Sequence, residues 1–324
     1  MIKYKPIIGI TMGDPSGIGP EIIAKAFSHS KIYNFCRPLV VGDAEVIALG
    51  AKIAGVQLSI NPIEKISDTH FHYHQIDVLD LKNVDTKKLE LGKISAGSGR
   101  ASFEAIKRVI ELALAREIDG TVTCPIHKEA INQAGYKFAG HTEIYAHFTN
   151  TKDFTMLLVH DKIRVAHVST HVSLRQAVDL VKKERILAVI GLLHEACVDF
   201  GIQSPVIGVA GLNPHASDGG LFGDEEAEEI IPAIEQALKM GYQLKGPYPP
   251  DILFPMAKQG CFDGCVAMYH DQGHIPFKLL GFDWDSEQGA MKNVRGVNIT
   301  LGLPIVRVSV DHGTAFDIAE KGVA

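Results

Sequence analysis

Short, strongly apolar runs separated by longer segments of helical periodicity constrain this chain more than any other feature. Such runs lie at residues 7–11, 38–41, 120–123, 156–159, 163–168, 206–210, 264–268 and 306–310. Several are rich in Val and Ile on both faces, as strands covered on both sides of a parallel sheet must be. Helical segments lie between them at 21–28, 98–116, 173–200 (its first turn set apart) and 224–240. In the second, Phe103, Ile106, Val109, Ile110 and Ala113 recur at the spacing of one helix face. Strand and helix in alternation predict layered α/β architecture. The 324 residues suit two domains of about 100–200 residues each.

Charge narrows the partners. The net charge is −6 with acidic and basic residues mixed, and no long Lys/Arg run exists to displace counterions from a nucleic-acid backbone. An anionic ligand must therefore be met by a few local cations. Cys36, Cys124, Cys197, Cys261 and Cys265 are odd in number and scattered. That suits a reducing compartment and argues against a disulfide framework. Cys261 and Cys265 lack the second pair a zinc site needs. The N-terminus shows no apolar signal-peptide core, and no run approaches the ~20 apolar residues of a membrane span. A cytoplasmic protein is expected, with neither nucleic acid nor membrane as partner. The stretch Gly246-Pro-Tyr-Pro-Pro250 reads either as an inter-domain crossing or as a surface loop.

Gly13-Asp-Pro-Ser-Gly-Ile-Gly-Pro-Glu21 joins the first strand to the first helix. Gly17 and Gly19 allow a tight turn, Pro20 suits the start of a helix and Glu21 its first turn. Free N–H groups there can hold an anion. Asp43 stands where a ribose-binding acid would, but the glycines run G-x-x-x-G-x-G, so the dinucleotide fingerprint G-x-G-x-x-G fails. A purely structural turn is the alternative.

Fifteen histidines is a high number for this length. His171, His215 and His270 each follow an apolar strand candidate, in Ser169-Thr-His171, Gly211-Leu-Asn-Pro-His215 and Met268-Tyr-His270. Strand ends of this kind line ligand crevices in open α/β sheets. Three neutral imidazoles suit a divalent ion with open positions for substrate; the bland reading is three unrelated surface side chains. His167 reads as structural, as do His29, His70, His72 and His74. Gly140-His-Thr-Glu143 places His141 and Thr142 in a further polar, glycine-led setting. Lys278, Asn298 and Arg307 form a late cationic and polar group. Arg307 interrupts an apolar strand, where an unpaired charge is costly. In Asp311-His-Gly-Thr-Ala-Phe-Asp317, His312 can stack on a nucleobase or simply connect strand to helix.

Taken in order, these motifs resemble the 4-hydroxythreonine-4-phosphate dehydrogenase family. Thr123-Cys-Pro-Ile-His-Lys128, Pro250-Asp-Ile-Leu-Phe254, Tyr269-His-Asp-Gln-Gly273 and Gly296-Val-Asn-Ile-Thr-Leu-Gly302 complete the likeness. It runs from Ile8 to the last residue. Both ends also resemble the isopropylmalate and isocitrate dehydrogenases, which bind NAD(P) without the dinucleotide fingerprint. The resemblance implies two α/β/α domains with a cleft between them, in a homodimer with shared active sites. Residues 1–130 with 275–324 would form the nucleotide-side domain, and 131–274 the metal and dimer side. His171, His215 and His270 would bind a divalent metal (zinc, magnesium, manganese or cobalt), with His270 supplied by the partner subunit. His141, Thr142, Lys278, Asn298 and Arg307 would contact substrate, and Lys278 and Asp271 would be catalytic. Gly13, Asp14, Gly17, His312 and Asp317 would contact NAD, or NADP. The implied chemistry is hydride transfer from C3 to NAD, then decarboxylation of the 3-oxo acid with the metal stabilising the developing enolate.

Two departures bear on substrate. His274-Ile-Pro-Phe-Lys278 looks more like the branch acting on D-threonate or D-erythronate 4-phosphate, which gives dihydroxyacetone phosphate, than the vitamin B6 branch. Residues 283–295 form an insertion between Phe282 and Gly296, expected to be a mobile cover over the pocket with Trp284 as its probe. The chain also stops at Ala324, where relatives continue into a last helix. The favoured substrate is thus a phosphorylated four-carbon 3-hydroxy acid, with 4-hydroxythreonine 4-phosphate second. A metal-dependent phosphatase or aldolase and a non-catalytic binding protein are the alternatives of other classes.

Overall fold

The structure is a computed structural model that describes residues 4–286, 290–292 and 296–324. In chain order its strands are β1 (Ile7–Thr11), β2 (Arg37–Gly42), β3 (Ser59–Ile63), β4 (Gln75–Asp80), β5 (Gly120–Thr123), β6 (Thr155–His160), β7 (Ile163–His167), β8 (Val206–Ala210), β9 (Gln243–Tyr248), β10 (Gly264–Ala267), β11 (Asp283–Asp285), β12 (Ala290–Lys292), β13 (Val297–Leu301) and β14 (Arg307–Ser309). The chain divides into two compact units, Met1–Lys152 with Leu303–Ala324, and Asp153–Gly302. These joins fall later than 130/131 and 274/275. The cause is local packing: helix His141–Thr149 lies on helix Ala96–Leu114 of the first unit, and helix His270–Gly281 lies on β7 and β10 of the second.

In the first unit the strand order is β3-β4-β2-β1-β5-β14, parallel throughout. Strand β2 shows why its sequence is unbroken apolar. Leu39 and Val41 pack with Ile106 and Ile110 of helix Ala96–Leu114 on one face. Val40, on the other, packs with Met12, Ile23 and Ile47. A strand covered on both faces cannot alternate with polar residues. The second unit runs β13-β6-β7-β10-β8-β9. Its β6 runs antiparallel to both β13 and β7, while β7, β10, β8 and β9 are parallel. Leu157, Ile207, Val209 and Val266 pack under helix Lys183–Asp199, and Leu253, Phe254, Cys265 and Ala267 fill the opposite side.

The α/β alternation is borne out, with refinements. The long helix expected at 173–200 is two: Leu174–Asp179, started by a capping box between Ser173 and Gln176, and Lys183–Asp199. The helix expected at 224–240 opens with a π-helical turn, Glu226–Ile230, before Ile231–Lys239. Pro232 lacks the N–H that would reach back to Glu228, which favours the wider turn there. Gly246-Pro-Tyr-Pro-Pro250 is no crossing between units: it ends the edge strand β9 and starts helix Pro250–Lys258, both within the second unit. Proline at a sheet edge leaves no ladder bond unmade. Within the 283–295 insertion, β11 and β12 pair as an antiparallel hairpin. Residues 287–289 and 293–295, and with them the cover expected there, lie outside the described residues. All five cysteines are free.

Candidate active site

Arg307 sits on β14, beside β5, and is only 3% exposed. Its Nη2 donates to Thr123 Oγ1 at 2.8 Å. Nη1 reaches Thr142 Oγ1 at 3.5 Å, and the guanidinium lies 5.5 Å from the Tyr145 ring centroid. Tyr145 itself is fully buried and donates to Thr121 Oγ1 at 3.0 Å. Burial lowers the Arg307 pKa from its ordinary value, against the opposing influence of Tyr145 and Glu143. A planar guanidinium set among hydroxyls and a ring is the kind of group that recognises phosphate or carboxylate. Beside it His141 opens helix His141–Thr149, with Nε2 buried and lacking a partner among the described residues. Burial, and then the Arg307 charge, hold His141 well below its usual pKa, so it is a neutral imidazole at physiological pH.

The glycine loop lies in the same unit. Gly13 has φ +76°, and a Cβ there would meet the Pro125 carbonyl; one on Gly17 would meet that of Thr314. Both glycines thus serve close backbone packing. The N–H groups of Asp14, Gly17 and Ile18 already donate to Pro125, Asp14 and Thr314, and that of Ser16 donates to Asp14 Oδ1. The turn is therefore not the open anion cradle that its sequence allows. Asp14 is fully buried, its Oδ2 has no partner among the described residues, and burial raises its pKa to about 6. His312 and Asp317 are exposed, and Phe316 stacks on His127 with ring centroids 5.0 Å apart.

The histidines belong to the second unit. His270 opens helix His270–Gly281, and its Nδ1 donates to Asp271 Oδ1 at 2.7 Å. A carboxylate on Nδ1 fixes the tautomer that leaves Nε2 as the ligating nitrogen. The His171 ring centroid is 5.5 Å from that of His270, and both line a cavity of about 510 Å³ with Thr170, Tyr269 and Asp271. His215 is exposed and neighbours Phe222, with centroids 6.2 Å apart. Among the described residues of a single chain, no three His, Cys, Asp or Glu side chains converge on a common point. The structure thus brings together two of the three histidines. Behind them His274 stacks on His270 (centroids 3.6 Å, planes 11° apart) and meets buried His167 at 4.7 Å. Burial pushes His274 down to about 4 and His167 to about 3, so His274 and His167 are neutral. Lys278 is half-buried with Nζ 5.4 Å from the Phe282 ring. Asn298 on β13 is buried, and its Oδ1 accepts no bond among the described residues.

Residues 34–324 match the family model of pyridoxal phosphate biosynthetic protein PdxA. The chain belongs to this family. A D-threonate 4-phosphate dehydrogenase of Cupriavidus necator is 45% identical over 325 residues, covering 100% of this chain and 94% of that protein. A protein of Oceanobacillus iheyensis, provisionally named for the same activity, is 48% identical over 326 residues, or 99% of this chain and 94% of its own. Among solved structures, a 4-hydroxythreonine-4-phosphate dehydrogenase from Burkholderia phymatum is 43% identical with a TM-score of 0.84, covering 99% of this chain and 94% of that one. These full-length likenesses make the chain an oxidoreductase of the dehydrogenase class. Among the described residues no helix is long and apolar enough to cross a membrane.

Sequence reasoning passed over Gln272, Glu226, Thr123 and Tyr145. Gln272 and Thr123 lie inside quoted motifs, where attention fell on the histidines. Tyr145 follows His141 by four, one helical turn, and that spacing is a usable signal. Glu226 gives none beyond its place in an acidic stretch.

Proposed function

We propose that this PdxA-family dehydrogenase oxidises a phosphorylated four-carbon 3-hydroxy acid of the D-threonate 4-phosphate type and decarboxylates the product. The observation that carries the reading is Arg307, a buried guanidinium whose fork faces hydroxyls. The substrate offers two planar or tetrahedral anions, phosphate and carboxylate, and such a fork binds either in bidentate fashion. Thr142 and His141 supply neutral polar contacts beside it. Lys278 and Asn298 are likewise assigned to substrate contact. Near-full-length identity to the Cupriavidus necator enzyme supports the choice of substrate, and the Burkholderia phymatum structure supports 4-hydroxythreonine 4-phosphate as the second reading.

The donor set of His171, His215 and His270 fits a divalent ion: three imidazoles, with Asp271 holding the tautomer of one. Because only two of them meet within one chain, we place the third ligand on a partner subunit, in a homodimer. When bound, the nicotinamide accepts the hydride and the divalent ion polarises the substrate oxygen. Arg307, Thr142 and Asn298 orient the substrate. Neutral His141 and half-buried Lys278 stand as proton donors and acceptors around it, and Asp271 acts through His270. Gly13, Asp14, Gly17, His312 and Asp317 remain assigned to the NAD side. The glycines act there by setting the loop's shape, since the N–H groups of Asp14, Ser16, Gly17 and Ile18 already have acceptors. Five free cysteines suit a reducing compartment such as the cytoplasm.

A panel of phosphorylated four-carbon acids, read by NADH absorbance with added divalent metal, tests this. Turnover is expected with D-threonate or D-erythronate 4-phosphate. NADH formation with 4-hydroxythreonine 4-phosphate alone selects the second reading. Product formation without NADH or NADPH from any member refutes the dehydrogenase assignment in favour of a phosphatase or aldolase.

A further inference from the structure

We infer that Glu226 and Gln272 are positioning residues that hold the two segments carrying His215 and His270 in ligating geometry; this rests on the metal site proposed above. The segment bearing His215 is strained. His215, Ala216, Ser217 and Asp218 have φ of 56°, 53°, 68° and 47°. Left-handed backbone costs about 1–2 kcal/mol for each non-glycine residue, and such strain persists only where surroundings over-determine it.

The surroundings here are two buried polar side chains. Glu226 is 1% exposed. Its Oε1 accepts from the N–H groups of Leu212 and Asn213, each at 2.7 Å. Its Oε2 accepts from Asn213 Nδ2 at 2.8 Å, a group shared with Glu225 at 2.7 Å. A buried carboxylate is costly unless donors surround it, and all three of these donors come from the stretch just before His215. Glu226 also opens the π-helical turn, a local widening that recurs at functional sites.

Gln272 ties this stretch to the other. Its Nε2 donates to the Gly211 carbonyl at 2.8 Å, and its Oε1 accepts from Met268 N at 2.7 Å. Gly211 begins the His215 segment, and Met268 lies two residues before His270. One amide therefore fixes where both histidine-bearing strand ends stand. Among the described residues the hydrogen bonds of the two side chains end on the histidine segments, which is the pattern of a ligand support. Whichever protomer's ion each histidine serves, a displaced segment loses its ligand.

The experiment measures Zn²⁺ affinity by competition with a chelating dye, together with the thermal unfolding of the metal-free protein. Glu226→Gln, Gln272→Met and, at a half-buried position, Asn213→Ala are compared with wild type. Affinity is expected to fall about 10- to 100-fold in Glu226→Gln and Gln272→Met, and less in Asn213→Ala. Folded variants with lower melting points but wild-type Zn²⁺ affinity assign these residues a structural role only and overturn the inference. Asn213→Ala keeps the test open should both core variants fail to fold. A wild-type protein that takes up no Zn²⁺ refutes the metal site itself, a result distinct from unchanged affinity in the variants.

Discussion

Asp14 places a carboxyl where burial and bonding disagree. One oxygen accepts from Ser16 N, the other has no partner among the described residues, and burial outweighs the hydrogen bonds to bring the pKa to about 6. Below about pH 4 the group is protonated in both the folded and the unfolded chain. As pH rises towards 6 the unfolded chain ionises first, so its proton loss favours unfolding. The stability this group contributes is thus present at low pH and lost as pH rises through about 6. A displacement of about two pKa units corresponds to ~3 kcal/mol at most. Asp14→Asn keeps the acceptor for Ser16 and stays neutral. Its melting temperature relative to wild type is expected to climb by several degrees between pH 4.5 and 7.5. A constant difference across that range would show that Asp14 ionises in place without penalty.

Arg307 yields to a similar argument with the opposite substitution logic. Lysine at 307 keeps the charge but loses the planar fork that spans Thr123 and Thr142. Arg307→Lys is expected to raise KM for the phosphorylated substrate at least about tenfold, the worth of one charge-assisted bond, with the circular dichroism spectrum unchanged. An unaltered KM removes Arg307 from substrate binding.

Two glycines of one helix show how packing overrides propensity at the scale of elements. Replacing Gly by Ala within a helix ordinarily stabilises by about 1 kcal/mol. In helix Ala96–Leu114, Gly97 is exposed and a Cβ there would have only Ser95 Oγ nearby, at 3.9 Å. Gly99 is buried, and a Cβ would run into the Ala130 carbonyl of helix Lys128–Gln133. Backbone cannot step aside as a side chain can, and overpacking costs about 1–3 kcal/mol. Urea unfolding is expected to show Gly99→Ala less stable than wild type and Gly97→Ala equal or better. If Gly99→Ala gains stability, the two helices do not approach as closely as the structure has them. The same contrast explains what could be read beforehand. The core strands β1, β2, β8 and β10 are largely apolar on both faces, so hydrophobicity marks them. Strands β3 (Ser-Ile-Asn-Pro-Ile) and β9 (Gln-Leu-Lys-Gly-Pro-Tyr) lie at sheet edges, where polar residues and proline are tolerated and the signal vanishes. Within the site, Arg307 was legible because a charge in an apolar strand is anomalous. Glu226 and Gln272 were not: they bond to backbone groups that only the folded loop brings near, and such bonds have no period in sequence.

Whole-molecule assembly decides whether the three histidines act together. In one chain His171 approaches His270, with ring centroids 5.5 Å apart, while His215 faces Phe222. A closed two-fold dimer presents the same surface from both copies, so a ligand lent to the partner's site is lent in both directions. This arrangement has a quantitative signature. Consider His215→Ala and His270→Ala variants, each inactive alone, mixed in equal amounts and allowed to exchange subunits. In a mixed dimer one site receives both damaged residues, while the other receives His171 and His270 from one chain and His215 from its partner, all intact. Random exchange makes half of the dimers mixed, each with one working site of two, so activity is expected to recover to about a quarter of wild type. A site built wholly within one chain gives no recovery, because every chain in the mixture carries a damaged ligand. Zn²⁺ stoichiometry of the same mixture supplies an independent readout and should rise in step with activity.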